Sequence, residues 1–487
     1  MTLAFDNTYA RLPERFFERL APIPVAQPRL IRLNTVLAED LGLDIAALSS
    51  AEGIAVLAGN RVPDGAAPVA MAYAGHQFGN FVPQLGDGRA ILLGEIVTPH
   101  GERFDIHLKG SGPTPYSRGG DGRAWIGPVL REYILSEAMY ALGIPTTRSL
   151  AAVATGERVY RETVLPGAVL TRVARGHVRV GTFEYFHARQ DTEGVRQLAD
   201  YVIARHYPEV GASERPYRDL LAAVALRQAD LVAQWLAVGF IHGVMNTDNM
   251  AITGETIDYG PCAFMDGYNP GQVYSSIDHR GRYAYGNQPR IVHWNLARLA
   301  EALLPLFDAD TEKALEQAHG VLDDFGKQFE NCALSRFRAK LGLTEAQVAD
   351  VALVDELLQA MTEARTDMTN GFRALCGAAE GDSEPFRARF PERSPIADWL
   401  PRWQARLAQE SISPADRAAA MRRANPAIIP RNHRVEAALD AAVQGDLAPL
   451  DGLLAALAKP WDDRPDDDYY SQPPKPDEVV QKTFCGT

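Results

Sequence analysis

Hydrophobic and polar residues alternate over short segments in the first part of the chain. Between residues 68 and 96, short apolar runs are separated by glycine-rich turns, which is typical of strands joined by turns. Strict alternation over Arg103–Lys109 predicts a half-buried strand with Lys109 exposed on its polar side. Pro128 near a first turn and Gly143 as a stop predict a helix over 128–142, and strand-like sequence returns from 149 to 179.

After about Glu193 the hydrophobic period changes to that of amphipathic helices. The clearest predicted helices are Tyr217–Val238, Trp294–Leu306, Thr311–Phe329 and Val354–Leu375. The last stretch, Pro460–Thr487, is rich in proline and aspartate and is predicted to be a mobile tail. This order predicts an α+β protein with a β-rich N-terminal part and a mainly helical C-terminal part.

Composition and charge narrow the class of protein. Of 487 residues 46% are hydrophobic, and 49 basic against 62 acidic residues give a net charge of −13. An acidic chain binds nucleic acid and anionic membranes poorly, so neither is an expected partner. Charges interrupt the N-terminal segment, the apolar stretch Leu231–Met245 is too short to span a bilayer, and the four cysteines lack zinc-site spacing. We therefore expect a soluble, cytoplasmic protein.

Residues suited to metal chemistry flank a turn near the centre of the chain. If Thr253 and Gly254 form a two-residue hairpin loop, the register places Asn249 opposite Asp258. An amide oxygen beside a carboxylate suits a hard cation such as Mg²⁺, and Asp248 is then placed to act as a general base. The alternative is that these residues are only turn and cap residues.

Other residues follow the order of the ATP site in protein kinases. Lys109 on its strand comes after the glycine-containing segment Gly86–Arg89, and Glu132 lies on a predicted helix, where it can form an ion pair with Lys109. The segments 242–249 and 258–260 are similar to a kinase catalytic loop and its Asp-Phe-Gly motif. Together these features predict a kinase-like fold that binds ATP and a metal ion.

The chain departs from a kinase at the catalytic position. A kinase carries its catalytic Asp two residues after the loop His, and here Val244 stands two residues after His242 and cannot accept a proton. This argues against plain phosphoryl transfer. Arg172 and Arg179 are either ordinary surface arginines or, with Lys109, a site for the end of a triphosphate, since guanidinium groups bind phosphate oxygens in pairs.

Several long motifs allow a comparison with known families. They are YAGHQFGNFVPQLGDGR at 73–89, HLKGSGPTPYSR at 107–118, HGVMNTDN at 242–249, DYGP at 258–261 and NPAIIPRN at 425–432. Together with Cys485 near the C-terminus, these motifs resemble the selenoprotein O family over nearly the whole chain.

The resemblance implies a bilobal, protein-kinase-like fold that binds ATP in an inverted orientation. It implies transfer of AMP to Ser, Thr or Tyr hydroxyls of other proteins, with pyrophosphate as leaving group and Mg²⁺ or Mn²⁺ as cofactor. By position, Asp248 matches the base, Asn249 and Asp258 match the metal ligands, and Glu132 matches the partner of Lys109. The matching nucleotide contacts are Gly86, Gly88, Arg89, Lys109, Asp121, Gly122, Arg172, Arg179 and Asp258.

The resemblance also implies a division of the chain and a redox link. The expected parts are an N-terminal segment packing on the lobes (1–60), a β-rich lobe (61–190), a helical lobe with the catalytic and metal loop (191–410), and a C-terminal helical extension with the tail (411–487). A link from Cys485 to a cysteine after the metal loop is implied, with Cys262 as the candidate. The alternative for Cys262 is a small buried residue.

Two other functions remain open at this point. One is an ordinary kinase that uses Asp248 as base, and the other is a non-catalytic ATP-binding protein, which Val244 would suit. His76 and His107 have no third ligand at useful spacing, so we predict that both are hydrogen-bonding residues rather than metal ligands.

Overall fold

A computed structural model describes residues 4–465 and 468–484 of the chain. Its strands are β1 (Phe17–Arg19), β2 (Arg29–Leu33), β3 (Val69–Met71), β4 (Gly75–Gln77), β5 (Asn80–Val82), β6 (Ala90–Val97), β7 (Arg103–Lys109), β8 (Ala124–Trp125), β9 (Arg148–Tyr160), β10 (Val164–Ala174), β11 (Phe240–Ile241) and β12 (Ala263–Phe264).

The helices of the described residues lie mainly after position 175. They are α1 (Thr35–Asp40), α2 (Ile45–Ser49), α3 (Ala51–Leu57), α4 (Ile126–Ala141), α5 (Val180–His187), α6 (Thr192–His206), α7 (Pro216–Val238), α8 (Gln288–Leu303), α9 (Thr311–Lys340), α10 (Asp350–Ala364), α11 (Met368–Ala378), α12 (Glu384–Arg387), α13 (Ile396–Leu407), α14 (Pro414–Ala424), α15 (Asn432–Val443) and α16 (Ala448–Leu457).

One antiparallel sheet dominates the N-terminal part. Its strand order is β1-β3-β6-β7-β10-β9-β2, and β8 pairs with β10. The register places Lys109 of β7 between Ala90 of β6 and Leu170 of β10, and it places Arg172 opposite His107. The polar residues His107 and Lys109 of β7 and Arg172 of β10 are therefore brought to one place on the sheet.

Two hydrophobic cores cover the sheet. Val169 of β10 packs in a core with α1, α2 and α3, whereas its neighbour Leu170 packs in a core with α4. This division follows from the alternation of side chains along a strand. The second core also contains Val435 of α15 and Leu453 of α16, so the C-terminal helices return to pack against α4.

The predicted order of elements is confirmed: a sheet comes first and long helices follow. The strand at 103–109 has the predicted bounds, and α4 begins two residues before Pro128 and ends before Gly143. Helix α7 ends at Gly239, whose φ of 76° is the left-handed conformation that glycine adopts without strain. The division into four parts stays a prediction.

The polar side of β7 differs from the expectation of a solvent-facing surface. Asp105 is 2% exposed and His107 is 0% exposed, while the side chain of Lys109 retains 14% exposure. Alternation alone cannot distinguish a polar face in water from one covered by charged partners. Arg205 and Arg172 cover this face, and each donates a hydrogen bond to it.

Three predicted helices have other bounds. Helix α8 begins at Gln288, six residues before the predicted start at Trp294, and ends at Leu303, three residues before the predicted end. Helix α9 continues to Lys340, eleven residues beyond the predicted end. The predicted helix 354–375 is wrong as a single element, because Arg365 adopts a φ of 50° and the chain starts again as α11. The carboxylate of Asp367 caps the new helix by accepting a hydrogen bond from the Asn370 N–H (2.8 Å).

The described residues of the tail contact the folded part of the chain, and the mobility of the tail stays a prediction. The carboxylate of Asp463 pairs with Arg373, and the Thr483 N–H donates to the Tyr274 carbonyl (2.8 Å). This ion pair and this backbone hydrogen bond join the tail to Arg373 of α11 and to the segment around Tyr274. Among the described helices, α7 is long and apolar enough to span a membrane by length and composition, and 72% of its most apolar window is buried within the protein.

Candidate active site

Lys109 lies at the end of β7 and faces the first turns of α4. Its Nζ lies 2.5 Å from Oε2 of Glu132 and 3.1 Å from Oδ1 of Asp258. The ion pair predicted between Lys109 and Glu132 is therefore confirmed. Glu132 is 2% exposed, so its charge depends on these partners.

Arg172 and Arg179 complete this cluster and are not surface arginines. Arg172 is 1% exposed, and its Nη1 donates to Oδ1 of Asp258 (2.7 Å) and to Oε1 of Glu132 (3.3 Å). Arg179 is 3% exposed, and its Nη1 donates to the other Asp258 oxygen (2.7 Å). An arginine is almost never fully buried unless its charge is paired, and the carboxylates of the cluster provide that pairing here.

Asp258 is the centre of the cluster. Burial raises the pKa of its carboxyl, but the charges of Lys109, Arg172 and Arg179 outweigh burial and hold the pKa well below its usual range. Its backbone adopts a φ of 62°, which aspartate tolerates better than most residues. Three cations face two carboxylates within this ion-paired set, so it carries surplus positive charge.

Asp248 lies beside the cluster in a short helical turn, Thr247–Asn249. Its carbonyl accepts a hydrogen bond from Nη1 of Arg179 (2.7 Å), which joins the turn to Asp258. Its Oδ1 is buried and has no hydrogen-bond partner among the described residues. Burial raises the pKa of its carboxyl to about 7.

The predicted hairpin around Thr253 and Gly254 is wrong. Ala251 forms its bridge with Arg179, and Thr256 forms its bridge with Thr146, so the two segments do not pair with each other. The opposition of Asn249 and Asp258 by hairpin register therefore does not exist. The turn looked like a hairpin loop because both of its flanks are extended, but each flank finds its partner far away in the sequence.

Asn249 is held by its own loop. Its Nδ2 donates to the Val244 carbonyl (2.9 Å), which fixes the amide and leaves its side-chain oxygen as an acceptor. Val244, at the position of a kinase catalytic Asp, thus contributes its backbone. Arg179 connects this loop with Asp258. Its backbone forms a bridge with Ala251, and its guanidinium donates to the Asp248 carbonyl and to Asp258.

The glycine-containing segment 86–89 lies beside Lys109. Gly86 has a φ of 70°, and a Cβ there would clash with the ring of Tyr116. The Arg89 carbonyl accepts a hydrogen bond from the Gly110 N–H (2.6 Å), directly after Lys109. Gly86, Gly88 and Arg89 thus adjoin the cation cluster through the pairing of β6 with β7.

Asp121 and Gly122 lie on the loop that follows β7. The Gly122 carbonyl accepts from the Gly112 N–H (3.1 Å), three residues after Lys109. The Asp121 carboxylate accepts two hydrogen bonds from Arg161 (2.9 and 3.0 Å), and these bonds hold its pKa below the usual value. Asp121 is therefore paired with a residue outside the cluster around Asp258.

Sequence reasoning missed the residues that support the catalytic turn. The carboxylate of Glu184 contacts the hydroxyl of Thr247 and Nδ1 of His76 (2.5 Å to the latter), and the His76 N–H donates to the Thr247 hydroxyl (2.7 Å). The prediction that His76 is a hydrogen-bonding residue is confirmed. A buried glutamate on α5 gave no signal in the sequence, because its partners lie more than sixty positions before and after it.

Comparison with known proteins adds to this geometry. The sequence model of the family described as "Protein adenylyltransferase SelO" matches residues 1–458. The chain belongs to the SelO family. It is 62% identical to the protein nucleotidyltransferase YdiU of Bradyrhizobium sp. strain BTAi1, with 99% of each chain covered. It is 58% identical to the protein of that name from Agrobacterium fabrum strain C58, with both chains fully covered.

In the part of the chain that the structure describes, acidic, histidine and cysteine side chains do not form a metal centre by themselves. Within residues 4–465 and 468–484, no three His, Cys, Asp or Glu side chains gather in a way that would hold a metal ion. Asp258 supplies its carboxylate oxygens to the cluster, Arg179 joins the turn of Asp248 to Asp258, and Asn249 is the next residue of that turn. A cation that keeps few protein oxygens and completes its shell with phosphate and water fits this set.

The structure describes one of the two cysteines of the redox link that the family resemblance implies. Cys262 is buried, and its Sγ lies 4.0 Å from the Gly260 carbonyl, two residues after Asp258. Cys485 lies outside the described residues. Thr483, two positions earlier in the sequence, contacts the Pro261 carbonyl through its hydroxyl.

Proposed function

We propose that this chain transfers AMP from ATP to Ser, Thr or Tyr hydroxyls of proteins and releases pyrophosphate. Membership of the SelO family makes it a nucleotidyltransferase by class. The observation that supports the proposal is the cluster of Lys109, Arg172 and Arg179 around Asp258. A kinase-like site needs one lysine at this place, whereas three cations suit the strongly charged end of a triphosphate.

The position of the cations favours an inverted nucleotide. If Lys109, Arg172 and Arg179 hold the β- and γ-phosphates in the buried part of the site, the α-phosphorus is the one presented to an acceptor hydroxyl. Pyrophosphate then leaves with its charge already neutralised, which is how preorganised cations lower the barrier for phosphate chemistry. A bilobal, kinase-like arrangement with ATP between the sheet and the helices is part of this proposal.

Asn249 and Asp258 would hold the metal ion, Mg²⁺ or Mn²⁺. When bound, the ion supplies positive charge to the phosphate oxygens. Arg179 donates hydrogen bonds to the Asp248 carbonyl and to the Asp258 carboxylate, so it holds these two residues in a fixed position relative to each other. Asp248, with one oxygen free of protein partners, accepts the proton of the acceptor hydroxyl.

The remaining nucleotide contacts are assigned to the loops beside Lys109. Gly86, Gly88 and Arg89 adjoin Lys109 through the strand pairing, and Asp121 and Gly122 come from the loop after β7. We assign them to the nucleotide because the family resemblance matches them by position. Asp121 would have to exchange Arg161 for the nucleotide or bind it through the remaining lone pairs of its carboxylate.

The experiment that tests the proposal uses ATP labelled in the α- or the γ-phosphate, with Mg²⁺ or Mn²⁺ and a cell lysate as acceptor. Protein-bound label from the α position, and none from the γ position, is expected. Label from the γ position alone would show an ordinary kinase. Asp248→Asn serves as the control variant, since it keeps the size of the side chain and removes the base.

We propose further that Cys262 and Cys485 form a reversible redox link. It is supported by the contact of Thr483 with Pro261, which brings a residue two positions before Cys485 next to Cys262. Cys485→Ser should abolish an oxidant-dependent shift of mobility on non-reducing gels. A shift that persists in this variant would exclude Cys485.

The partners and the cellular location of the reaction are also part of the proposal. The protein substrates and ATP are the proposed partners, and the net charge of −13 disfavours nucleic acid and anionic membranes. We propose a cytoplasmic location, where ATP and reducing conditions are both available.

A further inference from the structure

A buried histidine touches the most buried cation of the site. Nη2 of Arg172 lies 3.2 Å from Nδ1 of His107, and Nε2 of His107 lies 3.2 Å from Oδ2 of Asp87. His107 is 0% exposed, so water does not substitute for either partner. The three side chains therefore form one chain of contacts from the glycine-containing segment to Asp258.

The chemistry of the partners determines the form of the imidazole. A guanidinium only donates, so Nδ1 of His107 is an acceptor without a proton, and the proton on Nε2 is donated to Asp87. Burial lowers the pKa of His107, which agrees with a neutral ring. The neutral tautomer is the one form that satisfies Arg172 and Asp87 together.

The ring of His107 is also held in place from its face. It stacks on the ring of His177, with 4.3 Å between ring centres and 21° between planes. Nδ1 of His177 lies 2.8 Å from Oδ2 of Asp105, and burial lowers the pKa of His177 to about 3. Two neutral, stacked imidazoles, each oriented by a carboxylate, give His107 little freedom to turn.

Arg172 depends on this contact for its orientation. Its Nη1 is shared by Asp258 and Glu132, its Nε has no partner among the described residues, and its Nη2 contacts His107. We propose that His107 is a positioning residue for Arg172: it fixes the guanidinium plane for the phosphates and connects it to Asp87 between Gly86 and Gly88. The inference rests on the proposed function of the site.

Two substitutions separate the two contacts of His107. His107→Asn places an oxygen where Nδ1 lies, so it keeps the acceptor for Arg172 and loses the contact with Asp87. His107→Gln places its amide where Nε2 lies, so it keeps Asp87 and loses Arg172. His177→Asn is the matched control, because it removes the stacked ring without removing a hydrogen bond to Arg172.

The measurement is the affinity of the full chain, with Mg²⁺, for an ATP analogue that is not cleaved between the α- and β-phosphates, compared with AMP. We expect His107→Gln to weaken analogue binding by about tenfold, the scale of lost support to a binding residue, and to leave AMP binding unchanged. The affinities of His107→Asn and His177→Asn for the analogue should stay within about threefold of the wild-type affinity, a smaller change than the tenfold loss expected for His107→Gln. In an Arg172→Gln background, the effect of His107→Gln should disappear.

The outcomes distinguish the inference from the proposed function. Equal losses in the Asn and Gln variants, or parallel losses for AMP and the analogue, would show a merely structural role and overturn the inference. If His107→Gln does not fold, a tenfold loss of analogue affinity in His107→Asn would also contradict the inference. If the wild type binds the analogue no more tightly than AMP, the phosphate site itself, and with it the proposed function, is refuted.

Discussion

Arg172 and Asp258 form an ion pair of 2.7 Å, although they lie 86 positions apart and Arg172 is almost fully buried. Asp258 pairs with Lys109 and Arg179 as well, so three cations share this carboxylate, and Lys109 and Arg172 also pair with Glu132. Removing the charge of Asp258 therefore leaves Arg179 without a carboxylate in the cluster and leaves Lys109 and Arg172 to share Glu132, and uncompensated buried charge is costly in a protein interior.

The first prediction concerns Asp258→Asn. We expect loss of AMP transfer, because the residue that we propose as a metal ligand is removed, and a lower melting temperature at low salt, because the cations repel each other. Tripolyphosphate should raise the melting temperature of the variant more than that of the wild type, since it replaces the missing negative charge. Thermal unfolding with and without tripolyphosphate checks this, and an equal rise in both proteins would contradict it.

The second prediction concerns the space beside Asp248. A Cβ at Gly75 would clash with Oδ1 of Asp248, so Gly75→Ala should displace the carboxylate and reduce transfer by about 100-fold, the scale expected for a 1 Å misplacement. Gly320→Ala on α9 is the control, because nothing lies within 4 Å of its added methyl group. Initial rates with α-labelled ATP check the prediction. An active Gly75→Ala enzyme would show that Asp248 need not occupy its present position.

Local patterns predicted a good part of the fold and some of the site. Alternation gave the bounds of β7, and a glycine stop marked the end of α4, because both signals depend on residues close in sequence. The pairing of Lys109 with Glu132 was also predictable, since a strand lysine followed by a helix glutamate is the order found in protein kinases. These relationships need no knowledge of distant partners.

The misjudged features depend on distant partners. Thr256 pairs with Thr146 and Ala251 with Arg179, and no local signal distinguishes such bridges from a hairpin. The polar side of β7 is buried because Arg205, about a hundred positions later, covers it. A period of two shows that side chains alternate, but it does not show what covers each side.

The third prediction concerns the helix start that the sequence pattern did not reveal. Asp367 caps α11 and also pairs with Arg431, which is 1% exposed. Asp367→Ala should cost about 3 kcal/mol of unfolding free energy, because a buried arginine loses a partner. Asp310→Ala, which removes the exposed cap of α9, should cost about 1 kcal/mol. Urea unfolding compares the two, and equal costs would show that Arg431 is satisfied by Asp266 alone.

The last prediction concerns Lys340, a lysine in the core of the C-terminal helices. It is 2% exposed, its Nζ lies 4.3 Å from the centre of the Phe372 ring, and burial lowers its pKa from 10.5 to about 7. Between these two values the unfolded chain binds more protons than the folded chain, so the free energy of unfolding rises with pH across that window. Below about pH 7 both states are protonated, and the cost of the buried charge is constant.

Lys340→Met removes this cost and should stabilise the protein by roughly 1–4 kcal/mol at pH 7, as replacement of buried charges by apolar groups often does. Its advantage over the wild type should shrink between pH 7 and pH 9, because the wild-type lysine becomes neutral in the folded state over that range. Lys313→Met, on the exposed side of α9, is the control and should change stability little at either pH. Urea unfolding at both pH values checks the difference; an advantage that is independent of pH would show that Lys340 keeps its charge in the core, and that the Phe372 ring is sufficient to hold it.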